Sequence, residues 1–300
     1  MDKLEIGETY HKPVLLKEVL DALFPVLSGT GRDAWFLDAT LGDGGHTIGL
    51  LRAGGKVKGI DQDPQALKRA QTRLSNLGFD GKFLLEKRNF SDLSGLRSFN
   101  GILFDLGVSS LQFLDPSRGF SIKRNGPLDM RMDPSLSVSA KELINGLNKG
   151  ELNELFSKSG EKLAKPISAA VVSTREIEPI KTTKQLADLI ERVYRRFGIK
   201  RSKIHPATKV FQALRIVVND ELNSLKETLP QALEHLKPKG RIVVLSFHSL
   251  EDKIIKEKFT GWQKNGFGRI ITKKPMIPTV EEISENPHAR STKMRVFEKA

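Results

Sequence analysis

The stretch Phe36-Leu37-Asp38-Ala39-Thr40-Leu41-Gly42-Asp43-Gly44-Gly45-His46-Thr47 combines an apolar strand, a glycine-rich corner and the start of a helix. Glycine permits the sharp reversal, and a ligand can then approach the backbone N–H groups at the helix N-terminus. The next strand ends Ile60-Asp61-Gln62-Asp63-Pro64. This brings a carboxylate to the carboxyl edge of a neighbouring strand, where it accepts hydrogen bonds from ribose hydroxyls. A tight loop with no ligand would use the same glycines, but the strand and helix flanks favour a nucleoside pocket. A dinucleotide fingerprint would carry Gly or Ala where, counting from Gly42 and Gly44, this chain has Thr47. That disfavours NAD and a nicotinamide-dependent oxidoreductase. An aspartate before the turn and another after the next strand suit S-adenosylmethionine, whose ribose needs a carboxylate and whose methionyl ammonium needs an anionic or carbonyl lining. Beyond the third strand, Phe90 is placed to flank the adenine, and Asn89 or Asp92 to bond its amine.

The fourth strand ends Phe104-Asp105-Leu106-Gly107-Val108-Ser109-Ser110 at the same edge. Methyl transfer from a sulfonium is an in-line displacement, so an enzyme mainly positions the nucleophile and handles its proton. Asp105 is the leading candidate for that chemistry, with the hydroxyls of Ser109 and Ser110 beside it; an Asp that only caps a turn is the plain alternative. Ser246-Phe247-His248-Ser249-Leu250-Glu251-Asp252 follows the fifth strand, and His248 is a candidate proton acceptor or substrate contact. His46 is a weaker base candidate because it sits in the cofactor turn. Asp61, Asp63 and the six His residues show no metal-ligand spacing, so no metal is expected.

Lys and Arg number 49 against 36 Asp and Glu, a formal charge of +13 that points to a polyanionic partner. The densest patch is Arg192, Arg195, Arg196, Lys200, Arg201 and Lys203, with Tyr194 and Phe197 between them, which pairs phosphate contacts with base-stacking faces. A solvated helix end would also collect cations. Lys123, Arg124, Arg131, Lys273 and Lys274 add charge in loops. Arg195, Arg196 and Arg201 are therefore the expected RNA contacts. The absence of Cys fits a reducing compartment. The N-terminus lacks a basic flank followed by an apolar run, and no segment approaches the roughly 18 apolar residues of a membrane span. The expectation is a cytoplasmic chain without a membrane partner; a homodimer is compatible with the sequence.

Four short apolar runs carry these residues: Ala34 to Ala39, Lys56 to Ile60, Lys82 to Glu86 and Gly101 to Leu106. Helical patterns over Thr47 to Arg52 and Pro64 to Asn76 alternate with them, which predicts a parallel sheet covered on both faces. Leu111 to Pro134 is dense in Gly, Pro, Ser and Asp and reads as a long functional loop. Helical periodicity follows over Ala140 to Leu147, Lys149 to Ser159, Lys162 to Ile177 and Thr183 to Arg195. The α/β pattern resumes with one helix from Pro206 to about Leu236, a turn over Lys237 to Gly240, and strands Arg241 to Ser246 and Thr292 to Glu298. The expected architecture is a Rossmann-like α/β sheet formed by residues 1–110 and 206–300, with an inserted all-helical domain over 111–205.

The stretches His11 to Leu16, Asp38 to His46, Gly59 to Pro64, Asp105 to Gln112, Gly119-Phe120-Ser121, Gly126 to Met132 and Ser246 to Asp252 resemble one family, the bacterial 16S rRNA (cytosine-N4)-methyltransferases, called MraW or RsmH. The resemblance spans nearly the whole chain and implies a class I methyltransferase sheet in which the inserted helical domain over 111–205 recognises the substrate. It implies S-adenosylmethionine held by Gly44, Gly45, His46, Asp61, Phe90, Asp105 and Gln112. It also implies methylation at N4 of cytosine 1402 of 16S rRNA, within the small ribosomal subunit. The wider class of amino-methyltransferases ends its fourth strand in Asp or Asn-Pro-Pro-aromatic, whereas this chain has Asp105-Leu106-Gly107-Val108. Asp105 is thus assigned either to cofactor or to the target amine. An RNA-binding module that keeps a nucleoside pocket without turnover is the non-enzymatic alternative.

Overall fold

The computed structural model describes residues 12–23, 34–199 and 204–300. The chain divides into two compact units, one built from residues up to Gly107 and from Leu222 onward, the other from Val108–Glu221.

In the first unit a seven-stranded sheet has the order β3-β2-β1-β4-β5-β7-β6. Its strands are β1 (Trp35–Asp38), β2 (Lys56–Asp61), β3 (Phe83–Lys87), β4 (Phe99–Asp105), β5 (Leu236–Ser246), β6 (Gly268–Ile270) and β7 (Lys293–Lys299). β1 to β5 pair in parallel. β7 runs antiparallel to both β5 and β6, so the sheet is mixed, with the expected parallel part formed by β1 to β5. The two-residue period of a strand sends neighbours to opposite faces. Phe36, Leu103, Val243 and Leu245 join one apolar cluster, while Leu37, Ile102, Phe104 and Val244 join the other. A central strand buried on both sides therefore has to read as a continuous apolar run. Helices α1 (Leu16–Leu23), α2 (Gly45–Arg52) and α3 (Pro64–Asn76) belong to this unit. The chain leaves β1 toward β2 on one side of the sheet and leaves β4 toward β5 on the other, so the carboxyl ends of β1 and β4 form the switch point where ligands enter such sheets.

The second unit holds α4 (Ser110–Leu114), a 3-10 turn (Pro116–Arg118), α5 (Ala140–Gly146), α6 (Lys149–Lys158), α7 (Ala164–Arg175), α8 (Thr183–Arg196) and α9 (Thr208–Val218). Ala207, Val210, Phe211 and Leu214 bury into the same core as Ile144, Phe156, Ile167 and Ile190. That core moves the return to the sheet unit from the expected residue 206 to Leu222. The single helix expected over 206–236 is two, α9 and α10 (Glu221–Glu234). Between them Asn219 donates to the Met130 carbonyl and accepts from the Met132 N–H, while Asp220 takes a positive φ of 48°. These tertiary bonds stop a helix that the periodicity would have continued. At the start of β5, Lys239 at φ 62° and a register shift against Phe99 to Gly101 turn the expected 237–240 turn into an irregular first part of the strand. α11 (Ser249–Lys264) and α12 (Val280–Glu285) complete the helices. Among the described residues no helix is long and apolar enough to cross a membrane.

The long loop after α4 is an interlocked part of the second core. Phe120, Leu128, Met130 and Met132 are buried in it, and Arg118 donates to the carbonyls of Arg131 (3.0 Å) and Met132 (2.8 Å). A Cβ on Gly126 would lie 1.7 Å from the Pro116 carbonyl oxygen, and one on Gly119 (φ 72°) 2.3 Å from that of Pro127. Backbone meets backbone there, so nothing can rotate aside. Gly126→Ala is expected to destabilise this unit by about 3 kcal/mol or more, in the range of overpacking and backbone strain. Chemical denaturation followed by the far-ultraviolet signal checks this; a wild-type midpoint would contradict the interlock.

Candidate active site

Asp38 ends β1 almost fully buried, and its carboxylate accepts from the Thr47 hydroxyl at 2.6 Å. Thr47, the residue that breaks the dinucleotide fingerprint, thus ties the start of α2 to the strand. Asp38 serves this tie, and burial pushes its carboxyl above the ordinary range. Gly42 (φ 51°) and Gly44 (φ 77°) make the corner, and Gly44 is the N-cap of α2 without any side-chain cap bond. The first amides of α2 therefore have no capping side chain, which suits a ligand with acceptor atoms. Asp43 holds the corner from outside, accepting from Arg69 Nε at 2.8 Å through its carboxylate and from Arg73 through its carbonyl.

Asp61 ends β2 beside this corner. Its Oδ2 accepts from the Gly42 N–H at 2.8 Å and its Oδ1 from the Asp63 N–H at 2.9 Å. Each oxygen keeps a second lone pair for a ligand hydroxyl. Burial raises the carboxyl to about 6, against the lowering effect of those two amides. Asp63, by contrast, is fully buried and caps α3 by accepting from the Gln65 N–H. Asn89 donates to Gln62 at 3.0 Å and so joins the segment after β2, while Asp92 turns away to accept from Ser94. Phe90 stands edge-on to Phe104, ring centres 6.1 Å apart. Of the two adenine-amine candidates, Asn89 is the one held next to the Asp61 turn.

Asp105 ends β4. Its N–H donates to Thr40 Oγ1 at 2.6 Å, which ties the strand to the glycine corner. Its Oδ2 lies 3.5 Å from His46 Nδ1, while Oδ1 is buried without a hydrogen-bond partner. Burial raises this carboxyl also to about 6; Asp38 and Glu251 push the same way and His46 opposes them. His46 Nε2 donates to the Val14 carbonyl at 2.9 Å, since a carbonyl can only accept. The ring thereby bridges the segment ahead of α1 to Asp105, a role that spacing alone could not reveal.

His248 is the N-cap of α11. Its Nδ1 accepts from the Glu251 N–H at 3.3 Å, and Glu251 Oε2 accepts in return from the N–H groups of Phe247 and His248. This is a capping box with His in the place usually taken by Ser or Thr. Asp252 pairs with Arg295 and Lys293 and fastens α11 to β7.

In the second unit Gln112 is buried, and its side chain accepts from the Ser109 N–H in a capping box. Ser109 is that cap, and Ser110 opens α4. Arg195 and Arg196 lie exposed in the last turn of α8, followed by Phe197, which is 54% exposed. Tyr194 packs against the second core, and its hydroxyl donates to Glu161 at 2.7 Å. Arg131 is held by Asp129 and by the carbonyls of Pro134 and Leu136. His11, Lys200, Arg201 and Lys203 lie outside the described residues.

A carboxyl whose folded value is raised is protonated more readily in the native state than in the unfolded chain. Its neutral form favours folding at low pH, and that contribution is lost as pH rises through about 6. Asp105→Asn should therefore be more stable than the wild type at pH 8, by less than about 3 kcal/mol because the side chain keeps 27% exposure, and should lose the advantage near pH 4. Thermal unfolding across that range checks it; an equal or lower stability at pH 8 would contradict the desolvation.

Proteins similar to this chain are known. Ribosomal RNA small subunit methyltransferase H of Coprothermobacter proteolyticus is 42% identical over 299 residues, covering 96% of each chain. The protein of the same name from Sulfurihydrogenibium azorense is 43% identical over 295 residues, covering 95% of this chain and 98% of its own. Among solved structures, an rRNA methylase from Streptococcus thermophilus aligns over 94% of both chains at 13% identity, with a TM-score of 0.46. The MraW methylase profile matches residues 8–300, and the chain belongs to that family of S-adenosylmethionine-dependent methyltransferases.

Proposed function

We propose that the protein transfers the methyl group of S-adenosylmethionine to the N4 amine of cytosine 1402 in 16S rRNA of the small subunit, as a cytoplasmic enzyme. The observation that carries this reading is Asp105 Oδ1, a buried carboxylate oxygen without a partner at the sheet's switch point. Leaving such a group unpaired costs about 1–3 kcal/mol or more, so a ligand that satisfies it binds with that much less to overcome. The residues around it fit S-adenosylmethionine. Asp61 is placed to accept from ribose hydroxyls, Phe90 to flank the adenine, and the uncapped amides after Gly44 and Gly45 to meet acceptor atoms. When bound, the cofactor supplies an electrophilic methyl on a sulfonium.

Asp105 accepts a hydrogen bond from the target amine, orients its lone pair for in-line attack and takes up the proton released as the N–C bond forms. A stacked base cannot present its amine in this way, so the cytosine is extruded before reaction. The exposed Arg195 and Arg196 with Phe197 give the second unit phosphate contacts and one stacking face for RNA. Thr47, committed to Asp38, leaves no slender helix start for a pyrophosphate and argues against NAD.

Incubation of the enzyme with methyl-labelled cofactor and small subunits, followed by mapping of the modified nucleotide, tests the assignment. Label on N4 of that cytosine is expected; binding of cofactor and RNA without label would leave a non-catalytic module. Asp61→Ala should weaken S-adenosylmethionine binding by about 1–3 kcal/mol in calorimetry through lost hydroxyl bonds, and unchanged affinity would remove Asp61 from the site.

A further inference from the structure

Adjacent strands β4 and β5 each deliver a buried, unpartnered polar atom to the same sheet edge: Asp105 Oδ1 and His248 Nε2. The register pairs Asp105 with Leu245, and the Leu106 N–H donates to the Leu245 carbonyl, so the two segments leave the sheet side by side. The charge of Glu251, which caps His248, acts on Asp105.

The two atoms have opposite hydrogen-bonding character. Asp105 Oδ1 is an acceptor. His248 Nδ1 accepts the Glu251 N–H, so that nitrogen carries no proton and the neutral ring bears its proton on Nε2. Glu251 Oε1 lies 3.1 Å from Nε2 but makes no hydrogen bond with it. The His248 side chain is only 9% exposed. A helix cap thus fixes the tautomer and leaves a buried N–H donor at the end of the strand next to the one that ends in a buried carboxylate oxygen.

Cytosine presents the matching pair on its Watson–Crick edge: the N4 amine donates and the adjacent N3 accepts. Uracil presents the reverse, a carbonyl at position 4 and an N–H at position 3. We propose that His248 Nε2 donates to N3 of the target base while Asp105 Oδ1 accepts from its N4 amine, so that His248 is a specificity-determining residue that selects cytosine over uracil. This selection rests on the cytosine N4 reading above and makes His248 a donor in place of the proton acceptor that the sequence suggested. A uracil in the same place would set its carbonyl against the carboxylate and its N–H against the imidazole N–H, leaving both buried groups unpaired. Adenine shares the donor–acceptor pair, and its exclusion falls to size.

The test uses small subunits whose target nucleotide is cytidine or 3-deazacytidine, in which N3 is replaced by C–H. Wild-type kcat/KM is expected to fall by about 10- to 100-fold on the deaza substrate, the worth of one buried hydrogen bond. His248→Asn retains the cap, because its amide oxygen still accepts the Glu251 N–H, but lacks a donor at the Nε2 position. It should lose a similar factor on cytidine, show little further loss on 3-deazacytidine, and bind S-adenosylmethionine with wild-type affinity. That affinity also reports folding; if it is lost, His248→Gln, with a longer amide, replaces the variant. Wild-type label on cytidine with equal rates on both substrates would overturn this inference alone, as would a variant as sensitive to the deaza replacement as the wild type. No wild-type label on cytidine N4 would overturn the cytosine reading and this inference with it.

Discussion

Asp38, Asp61 and Asp105 end three strands, β1, β2 and β4, and burial raises all three carboxyls above their ordinary range. Asp38 adds its repulsion to each of the other two. A fold that gathers charge away from water holds only where donors are built around it. The glycine corner, Thr40, Thr47 and His46 supply that surrounding: two backbone amides on Asp61, a hydroxyl on Asp38 and an imidazole facing Asp105. The same bonds fix where the corner sits. Cofactor geometry and carboxylate desolvation are one constraint, and loosening the corner would change both.

That surrounding is incomplete at a few defined atoms. Asp61 keeps lone pairs, α2 has no side-chain cap, and Asp105 Oδ1 and His248 Nε2 have no hydrogen-bond partner. Many helix ends elsewhere are closed by side chains. Capping boxes begin at Ser109, Ser139, Asn148, Thr182 and His248, and Arg215 grips Glu221 with two bonds of 2.7 and 2.8 Å. Buried atoms without a hydrogen-bond partner also occur on Arg69, Glu161, Thr228 and Thr292, but those of Asp105 and His248 follow adjacent strands at one sheet edge, and since unpaired groups are costly a ligand is to complete them there.

Much of this was legible in the sequence because the informative signals were local. The apolar runs placed β1, β2, β3 and β4 within a residue or two, since a strand buried on both faces has no polar interruption. Asp61 and Asp105 stood out because a carboxylate directly after such a run sits at the sheet edge. What escaped depended on contacts far apart in sequence. The break between α9 and α10 comes from Asn219 reaching Met130 and Met132. β6 is a three-residue edge strand defined by its pairing with β7, with no periodicity of its own. His46 read as a turn residue because nothing local reveals that Val14 takes its Nε2 and Asp105 faces its Nδ1. Ser-x-x-Glu is a familiar cap signal; His248-Ser249-Leu250-Glu251 carries the same geometry, and the Glu three positions on was the clue available.

The central claim is that desolvated carboxylates hold the cofactor in their charged form. Calorimetric titration of the wild-type protein with S-adenosylmethionine between pH 5 and pH 7.5 tests it. Asp61 accepts from hydroxyls best when ionised, and its carboxyl stands at about 6. Affinity is expected to be level above pH 7 and to fall toward pH 5, approaching tenfold per pH unit below about 6. An affinity that stays constant across that range would contradict the claim.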